Sequence, residues 1–191
     1  MAKVFLTGLL IWTLAGCALL PPSAAVRQEQ QAAAQVDQQA AFRLGQRYRF
    51  GQGVVEDHQA AFRYYLQAAQ QGHSQAAYMV ATAYFLGDGV GADPVQARHW
   101  YQQAAKQGLA EAQYQLADLL WNASPAQKQE ALHWYQHAAK QGHARAQLKL
   151  GVILYQGLAG NKNTKQGRYW ISQAAAQDEP TAQALLPKLT P

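Results

Sequence analysis

The sequence predicts an all-α fold, a solenoid of stacked helical hairpins, and three recurrences carry that prediction. Trp100-Tyr101, Trp134-Tyr135 and Trp170-Ile171 lie 34 and 36 residues apart, with Tyr64-Tyr65 a further 36 residues upstream. Each pair is followed by two alanines: Ala68-Ala69, Ala104-Ala105, Ala138-Ala139 and Ala174-Ala175. Gly72, Gly108 and Gly142 then close three units, and Asp178 stands in the fourth. A period near 35 residues is that of one helical hairpin per unit, each hairpin burying its apolar face on the next.

The chain opens on a segment of another kind. Lys3, the apolar run Val4 to Thr13 and the small residues before Cys17 read as an export signal over residues 1–16. Leu14-Ala15-Gly16-Cys17 resembles the lipobox of bacterial lipoproteins, which implies cleavage before Cys17 and acylation of its thiol and new amino group. The apolar stretch Val4 to Leu20 is short for a spanning helix, which needs about 20 residues. A lone cysteine in an exported chain would otherwise be a stray thiol, and it excludes an internal disulfide. Residues 17–37 read as a tether, Ala18 to Ser23, and a helical lead-in within the Gln/Ala-rich run Gln28 to Ala41, both residue types being good helix formers.

Four units follow, at 38–72, 73–108, 109–142 and 143–177. The first helix of a unit starts just after the glycine: Ser74 to Leu86, Ala110 to Trp121, Ala144 to Tyr155, with Phe50 ending that of unit one. Loops such as Gly51-Gln52-Gly53 and Gly87-Asp88-Gly89 let the chain leave a helix through left-handed angles. Asp57 and Asp93 cap the second helices, and Pro94 suits a first helical position. Unit three has a loop two residues shorter, with Ser124-Pro125 expected as its cap; Asn163 or Thr164 caps the second helix of unit four. Residues 178–191 form a capping half-unit that Pro187 ends early, as terminal repeats must cover the last apolar face.

Columns that recur between units identify packing. Gly45, Ala81, Ala117 and Gly151 form a small-residue column, as do Ala40, Ala76, Ala112, Ala146 and Ala182, allowing close helix approach. Leu44, Val80, Leu116 and Leu150 fill the space beside them. Tyr64, Trp100, Trp134 and Trp170 lie four positions before an alanine, hence on one helical face, and are expected as a core stripe and not a stacking platform.

Gly-x-Gly-Val, Asp, Ala, Trp-Tyr, Ala-Ala and Gln-Gly in this order and period resemble Sel1-like repeats, relatives of the tetratricopeptide class. The likeness runs from Gln38 to Pro187; the unit from Ala76 to Gly108 carries nearly the whole pattern, and the loops of units three and four depart from it. The resemblance implies a right-handed superhelix of helix pairs that acts as an adaptor or scaffold. One resembling class comprises outer-membrane lipoproteins that assist polysaccharide export; the cysteine-rich class is excluded by the single cysteine.

The residues offer no catalytic constellation. His133 and His137 share a helix face, but Trp134-Tyr135-Gln136 between them lacks the glutamate of a zinc peptidase helix and no third ligand is spaced for them. His99 shares the column of His133, and His143 that of His73; His137 falls where other units have Gln67, Gln103 and Gln173. Ser74, Ser124 and Ser172 have no elbow motif, and Gly87-Asp88-Gly89-Val90-Gly91 has neither a preceding strand nor a Walker lysine. Neither metal nor cofactor is expected. The formal charge of +5, or +4 without Lys3, is scattered and too mild for nucleic acid.

Function is therefore expected on a surface. First-helix positions that do not recur would line the concave side: Gln39, Arg43, Gln46 and Arg47; Gln75, Met79 and Thr82; Glu111, Gln115 and Asp118; Arg145, Lys149 and Val152. Such faces bind peptides or neighbouring proteins. Arg43 with Arg47, and Arg145 with Lys149, favour an acidic partner at either end. The expected role is a non-catalytic scaffold in the cell envelope, lipid-anchored to the periplasmic face of the outer membrane, because Ala18 stands where aspartate would signal inner-membrane retention. The rival is a module for cell-wall or secreted polysaccharide, which needs Tyr78, Tyr114 or Tyr155 exposed.

Overall fold

The computed structural model describes residues 22–160 and 162–189; the expected signal segment and lipidation site Cys17 lie outside the described residues. Among the described residues ten α-helices follow one another: α1 (Ala24–Ala34), α2 (Gln38–Phe50), α3 (His58–Gln70), α4 (Ser74–Leu86), α5 (Pro94–Lys106), α6 (Ala110–Ala123), α7 (Lys128–Lys140), α8 (Ala144–Gln156), α9 (Thr164–Ala175) and α10 (Pro180–Leu185). Each packs on its neighbours in sequence, so the fold is an α-solenoid of hairpins α2–α3, α4–α5, α6–α7 and α8–α9.

Capping punctuates the helices as their sequences require. Asp37, Asp57, Asp93 and Asn163 each accept a backbone amide from the first turn they precede, which answers donors that the helix leaves unpaired. Asn163, not Thr164, caps α9. Ser124 does not cap α7: its hydroxyl donates to Gln127 Oε1 at 3.3 Å, and Pro125–Gln127 form a short 3₁₀ turn before the helix. Gly51, Gly87 and Gly157 end α2, α4 and α8 in the left-handed conformation, whereas α6 leaves through extended Ser124.

The lead-in is a separate helix. A turn at Gln35–Asp37 divides the Gln/Ala run, and that turn is the one that joins all the later units. Residue 73 donates to Ala68 O at 3.1 Å and residue 143 to Ala138 O at 3.1 Å; Asp37 donates to Ala32 O at 3.2 Å in the same way. The residue before each donor has positive φ: Gly72 91°, Gly108 91°, Gly142 88°, Asp178 59°, and Val36 68°. Helix α1 thus fills the place of a second helix ahead of unit one, with Ala32-Ala33 in the alanine columns and Glu29 in the column of Tyr65. Sequence periodicity marks it as a helical lead-in and not as a second helix, because a valine occupies the glycine position and no ring marks the helix. A β-branched residue at positive φ is strained, and Val36 is 69% exposed, so it returns little burial. Val36→Gly should raise stability by about 1 kcal/mol; an unchanged or lower urea midpoint would show that the turn is not strained.

The core runs along the hairpin interfaces. Leu44, Val80, Leu116 and Leu150 are fully buried together with both alanine columns. The ring stripe lies one position later than the sequence suggests. Tyr65, Tyr101, Tyr135 and Ile171 are buried, while Tyr64, Trp100, Trp134 and Trp170 are half-buried and pack against the core from its edge. The reason is geometric: the small column of the first helix admits the second residue of each pair, and a Cβ on Gly45 would come within 2.5 Å of the Tyr65 ring. The half-unit α10 closes the end with Ala182 buried against Ile171 and Ala174, and Leu185, Leu186 and Leu189 packed round them.

Candidate functional site: the face of the first helices

Part of the first-helix face carries polar clusters whose members are held by partners that the fold supplies. Arg47 donates to Glu29 of α1 through Nε at 2.6 Å and Nη2 at 3.2 Å, and Arg43 Nε lies 3.3 Å from the same carboxylate. These two arginines are answered from within the chain, two guanidiniums on one carboxylate, because Glu29 replaces the ring found at that position in the other units. Gln46 and Gln75 are exposed. Met79 is half-buried against the core.

Further along, Thr82 and Asp118, of the column Gln46, Thr82, Asp118 and Val152, face the buried ring of the next helix. Thr82 Oγ1 lies 3.1 Å from the Tyr101 hydroxyl, and the Tyr135 hydroxyl donates to Asp118 Oδ1. In unit four Val152 and Ile171 replace the pair, both apolar, so donor and acceptor vanish together. Burial pushes the Tyr101 phenol up to about 12, and burial with the Asp118 carboxylate raises that of Tyr135 further; neither ionises under ordinary conditions. Lys149 Nζ stands 3.6 Å from Asp118 Oδ1. Gln115 Nε2 donates to Glu111 Oε1 at 3.4 Å, and the neighbouring His143, more than burial or any other charge, holds the Glu111 carboxyl below its usual range. Arg145 adds to that depression and is exposed. Gln115 and Asp118 also line a cavity of about 420 Å³ with Phe85, Tyr101, Leu119 and Asn122. The structure thus gathers Thr82, Glu111, Gln115, Asp118, Arg145 and Lys149 around units two to four, and leaves Arg43 and Arg47 bound up at the first end.

Two further elements of this network were not legible as such. His73 and His143 are caps: Nδ1 of each accepts the third amide of its helix, Ala76 or Ala146, at 3.2 Å. With Nδ1 accepting, the proton sits on Nε2, which faces Gln39 Oε1 at 3.0 Å and Glu111 Oε2 at 2.7 Å. Each imidazole stacks on a ring of the preceding unit, Phe42 at 4.4 Å and Tyr114 at 4.9 Å. Gln113 and Gln147 are buried, donating to Ala105 O and Ala139 O at 3.1 Å and accepting from Gln141 and Gln177 at 2.7 Å. Those last two are the glutamines of the Gln-Gly and Gln-Asp closures, so that motif joins the helices of one unit.

The histidine geometry sets a pH dependence. Burial lowers the His73 pKa from its ordinary 6.5. The unfolded chain then takes up the proton first, so this stabilisation is complete above about 6.5 and is lost as pH falls through the folded-state value. His58, bonded to Glu56 and Asp88, has a raised pKa and acts oppositely, stabilising below 6.5 and losing that contribution as pH rises through its folded value. His73→Asn keeps a cap acceptor but cannot titrate. It should flatten the decline of Tm between about pH 7 and 5; an unaltered slope would assign the decline elsewhere.

Among the described residues no three His, Cys, Asp or Glu side chains could share a metal ion, and no helix is long and apolar enough to cross a membrane. His133 and His137 are exposed, their ring centroids 4.4 Å apart. Tyr114 is buried at 8% exposure, Tyr78 packs half-buried against the core and Tyr155 is half-buried, so none of the three rings is fully open.

The Sel1 repeat family model matches four times, at residues 38–73, 74–109, 110–143 and 144–179. A protective antigen present in uropathogenic Escherichia coli strains, displaying an SLR fold, superposes with a TM-score of 0.80 at 31% identity, over 84% of this chain and 35% of that one. A Sel1 repeat protein from Oxalobacter formigenes superposes at 0.77 with 30% identity, over 86% of this chain and 48% of that one. The chain therefore spans between a third and a half of these longer proteins. An immunity protein from Pseudomonas aeruginosa, at 23% identity and a TM-score of 0.54 over 84% of this chain and 59% of its own, shares the fold. A sequence search of curated proteins finds no match.

Proposed function

Because this chain belongs to the Sel1 repeat family, whose members mediate protein–protein interaction, we propose that it is a non-catalytic scaffold held in the bacterial cell envelope by a lipid on Cys17. The observation that carries the binding half is the open cavity among Gln115, Asp118, Leu119 and Asn122, set in a face whose side chains are already oriented by Tyr135, Lys149 and Glu111. Preorganised side chains lose less freedom when a partner docks. The anchoring half rests on Leu14-Ala15-Gly16-Cys17, and Ala18 favours the periplasmic face of the outer membrane. Acylation adds about 0.8 kcal/mol per buried methylene, so more than one chain makes the attachment stable.

Affinity capture from solubilised envelopes, comparing the natural chain with Gln115→Arg and Lys149→Glu, tests the groove. A stoichiometric protein partner lost with either substitution supports the scaffold. Retention on peptidoglycan or secreted polysaccharide with no protein partner would replace it by the polysaccharide-binding reading. Cys17→Ala tests the anchor separately: the chain should leave the membrane fraction for the soluble one.

A further inference from the structure

Each junction between units repeats one slot, and what fills it differs. The slot lies between the buried ring of a second helix and the last turns of the first helices on either side. Between units one and two it is almost full, with about 10 Å³ left beside Arg49, His58, Tyr65 and Asp88. Asp88 comes from the loop after α4, and Arg49 Nη2 lies 3.6 Å from its Oδ2. Arg49 and Tyr65 line that residual space together, and the Arg49 guanidinium stands 5.8 Å from the Phe50 ring centroid. Between units three and four Trp121, in the column of Arg49, packs on Tyr135 at 6.4 Å. The Lys128 ammonium sits 5.1 Å above that indole. Both slots bring a cation to an aromatic ring.

Between units two and three the same column holds Phe85, which is 52% exposed. The loop that would bring a counterpart of Asp88 is shorter, and it departs through extended Ser124 where the other units turn at a left-handed glycine. What remains is the 420 Å³ cavity. One wall is aromatic, Phe85 and Tyr101; the other holds the Asp118 carboxylate, fixed by the Tyr135 hydroxyl. The amide nitrogens of Gln115 and Asn122 are committed to Glu111 and to Asp118 O, which leaves their oxygens as acceptors. Lys149 at 3.6 Å tempers the charge of Asp118 from the far side. A ring face, a carboxylate and two amide acceptors match the planar, five-donor, ring-stacking guanidinium.

We propose that this open slot receives an arginine side chain of a protein partner, supplying in trans the cation that its sister slots hold in cis. The proposal rests on the scaffold reading and names the chemistry of its partner.

Chemical-shift titration of the full chain with the capped tripeptides Gly-Arg-Gly, Gly-citrulline-Gly and Gly-Leu-Gly tests it. The arginine peptide should perturb the signals of Tyr101, Gln115 and Asn122 and bind on the order of tenfold more tightly than its uncharged citrulline isostere. Phe85→Arg, placing a guanidinium where Arg49 has one, should close the slot to the peptide, while Phe85→Tyr should leave it open; the position is at the surface, so folding is not at stake. Equal affinity for arginine and citrulline, tighter binding of leucine, absence of binding, or indifference to Phe85→Arg each overturns the proposal. A captured envelope partner that is lost with Lys149→Glu yet unmoved by Phe85→Arg would leave the scaffold standing and remove the arginine slot alone.

Discussion

Gly167→Ala should destabilise the fold by about 3 kcal/mol, at the upper end of what overpacking a well-filled interface costs. The added Cβ would sit 2.6 Å from Tyr155 N and 2.7 Å from Gly151 O, both backbone atoms, so no side chain can swing aside to admit it. Gly151→Ala should cost a similar amount, since its Cβ would meet Ile171 Cγ1 at 2.6 Å and Gly167 O at 2.8 Å. Alanine is otherwise the better helix former by about 1 kcal/mol, so the propensity gain opposes the clash and the measured loss is what survives. The columns make the test sharp. Alanine occupies the place of Gly167 in the other units, as Ala61, Ala97 and Ala131, all buried. Only a closer approach of α8 to α9 explains a glycine there. Denaturant midpoints that rise on Gly167→Ala would show that the two helices can separate at no cost.

Tyr135→Ala should be the costliest single truncation, about 3–5 kcal/mol, the range for a large buried ring. Tyr135 is fully buried, contacts Tyr114 at 6.1 Å and Trp121 at 6.4 Å, and anchors Asp118. Tyr135→Phe isolates the hydroxyl: it removes a bond to a charged acceptor and should cost about 1.5–3 kcal/mol. Tyr101→Phe loses a neutral hydroxyl–hydroxyl contact to Thr82 and should cost about 1 kcal/mol. The order Tyr135→Ala, Tyr135→Phe, Tyr101→Phe is the outcome to check by equilibrium unfolding. Should Tyr135→Phe prove neutral, the Asp118 bond would be contributing nothing and the orientation of that carboxylate would have another cause. Asp118→Val paired with Tyr135→Ile copies unit four, where Val152 and Ile171 stand, and should restore part of what Tyr135→Ile loses alone.

The hairpins, their order and three caps of the second helices were legible in the sequence because they depend on local chemistry, whereas Ser124 caps nothing and the His73 and His143 caps were not foreseen. Asp57, Asp93 and Asn163 cap wherever they precede a helix, and Gly51, Gly87 and Gly157 turn the chain wherever they follow one. The small columns were legible for the same reason, since Gly45 and Gly151 recur at one distance from the buried side chain, Tyr65 or Ile171, that needs their space. The first-helix face was legible as a surface of non-recurring residues, and Gln115 and Asp118 do line its cavity.

Which ring of each pair is buried was not legible, because periodicity gives a stripe its spacing but not its rotation about the helix axis. Packing against the Gly45, Ala81, Ala117 and Gly151 column set that rotation and chose Tyr135 over Trp134. Helix α1 was legible as a helical lead-in but not as the counterpart of a second helix, because Val36 replaces the expected glycine; the positive φ of Val36 and the returning hydrogen bond Asp37 N to Ala32 O reveal that kinship. The sequence alone thus determined the repeat and the termini of its helices, through contacts spanning a few residues. The tertiary structure decided which side chains became partners across units, Glu29 with Arg47 and His143 with Glu111. Those pairings span 18 and 32 residues, and distance in space between such positions exists only once the helices have stacked.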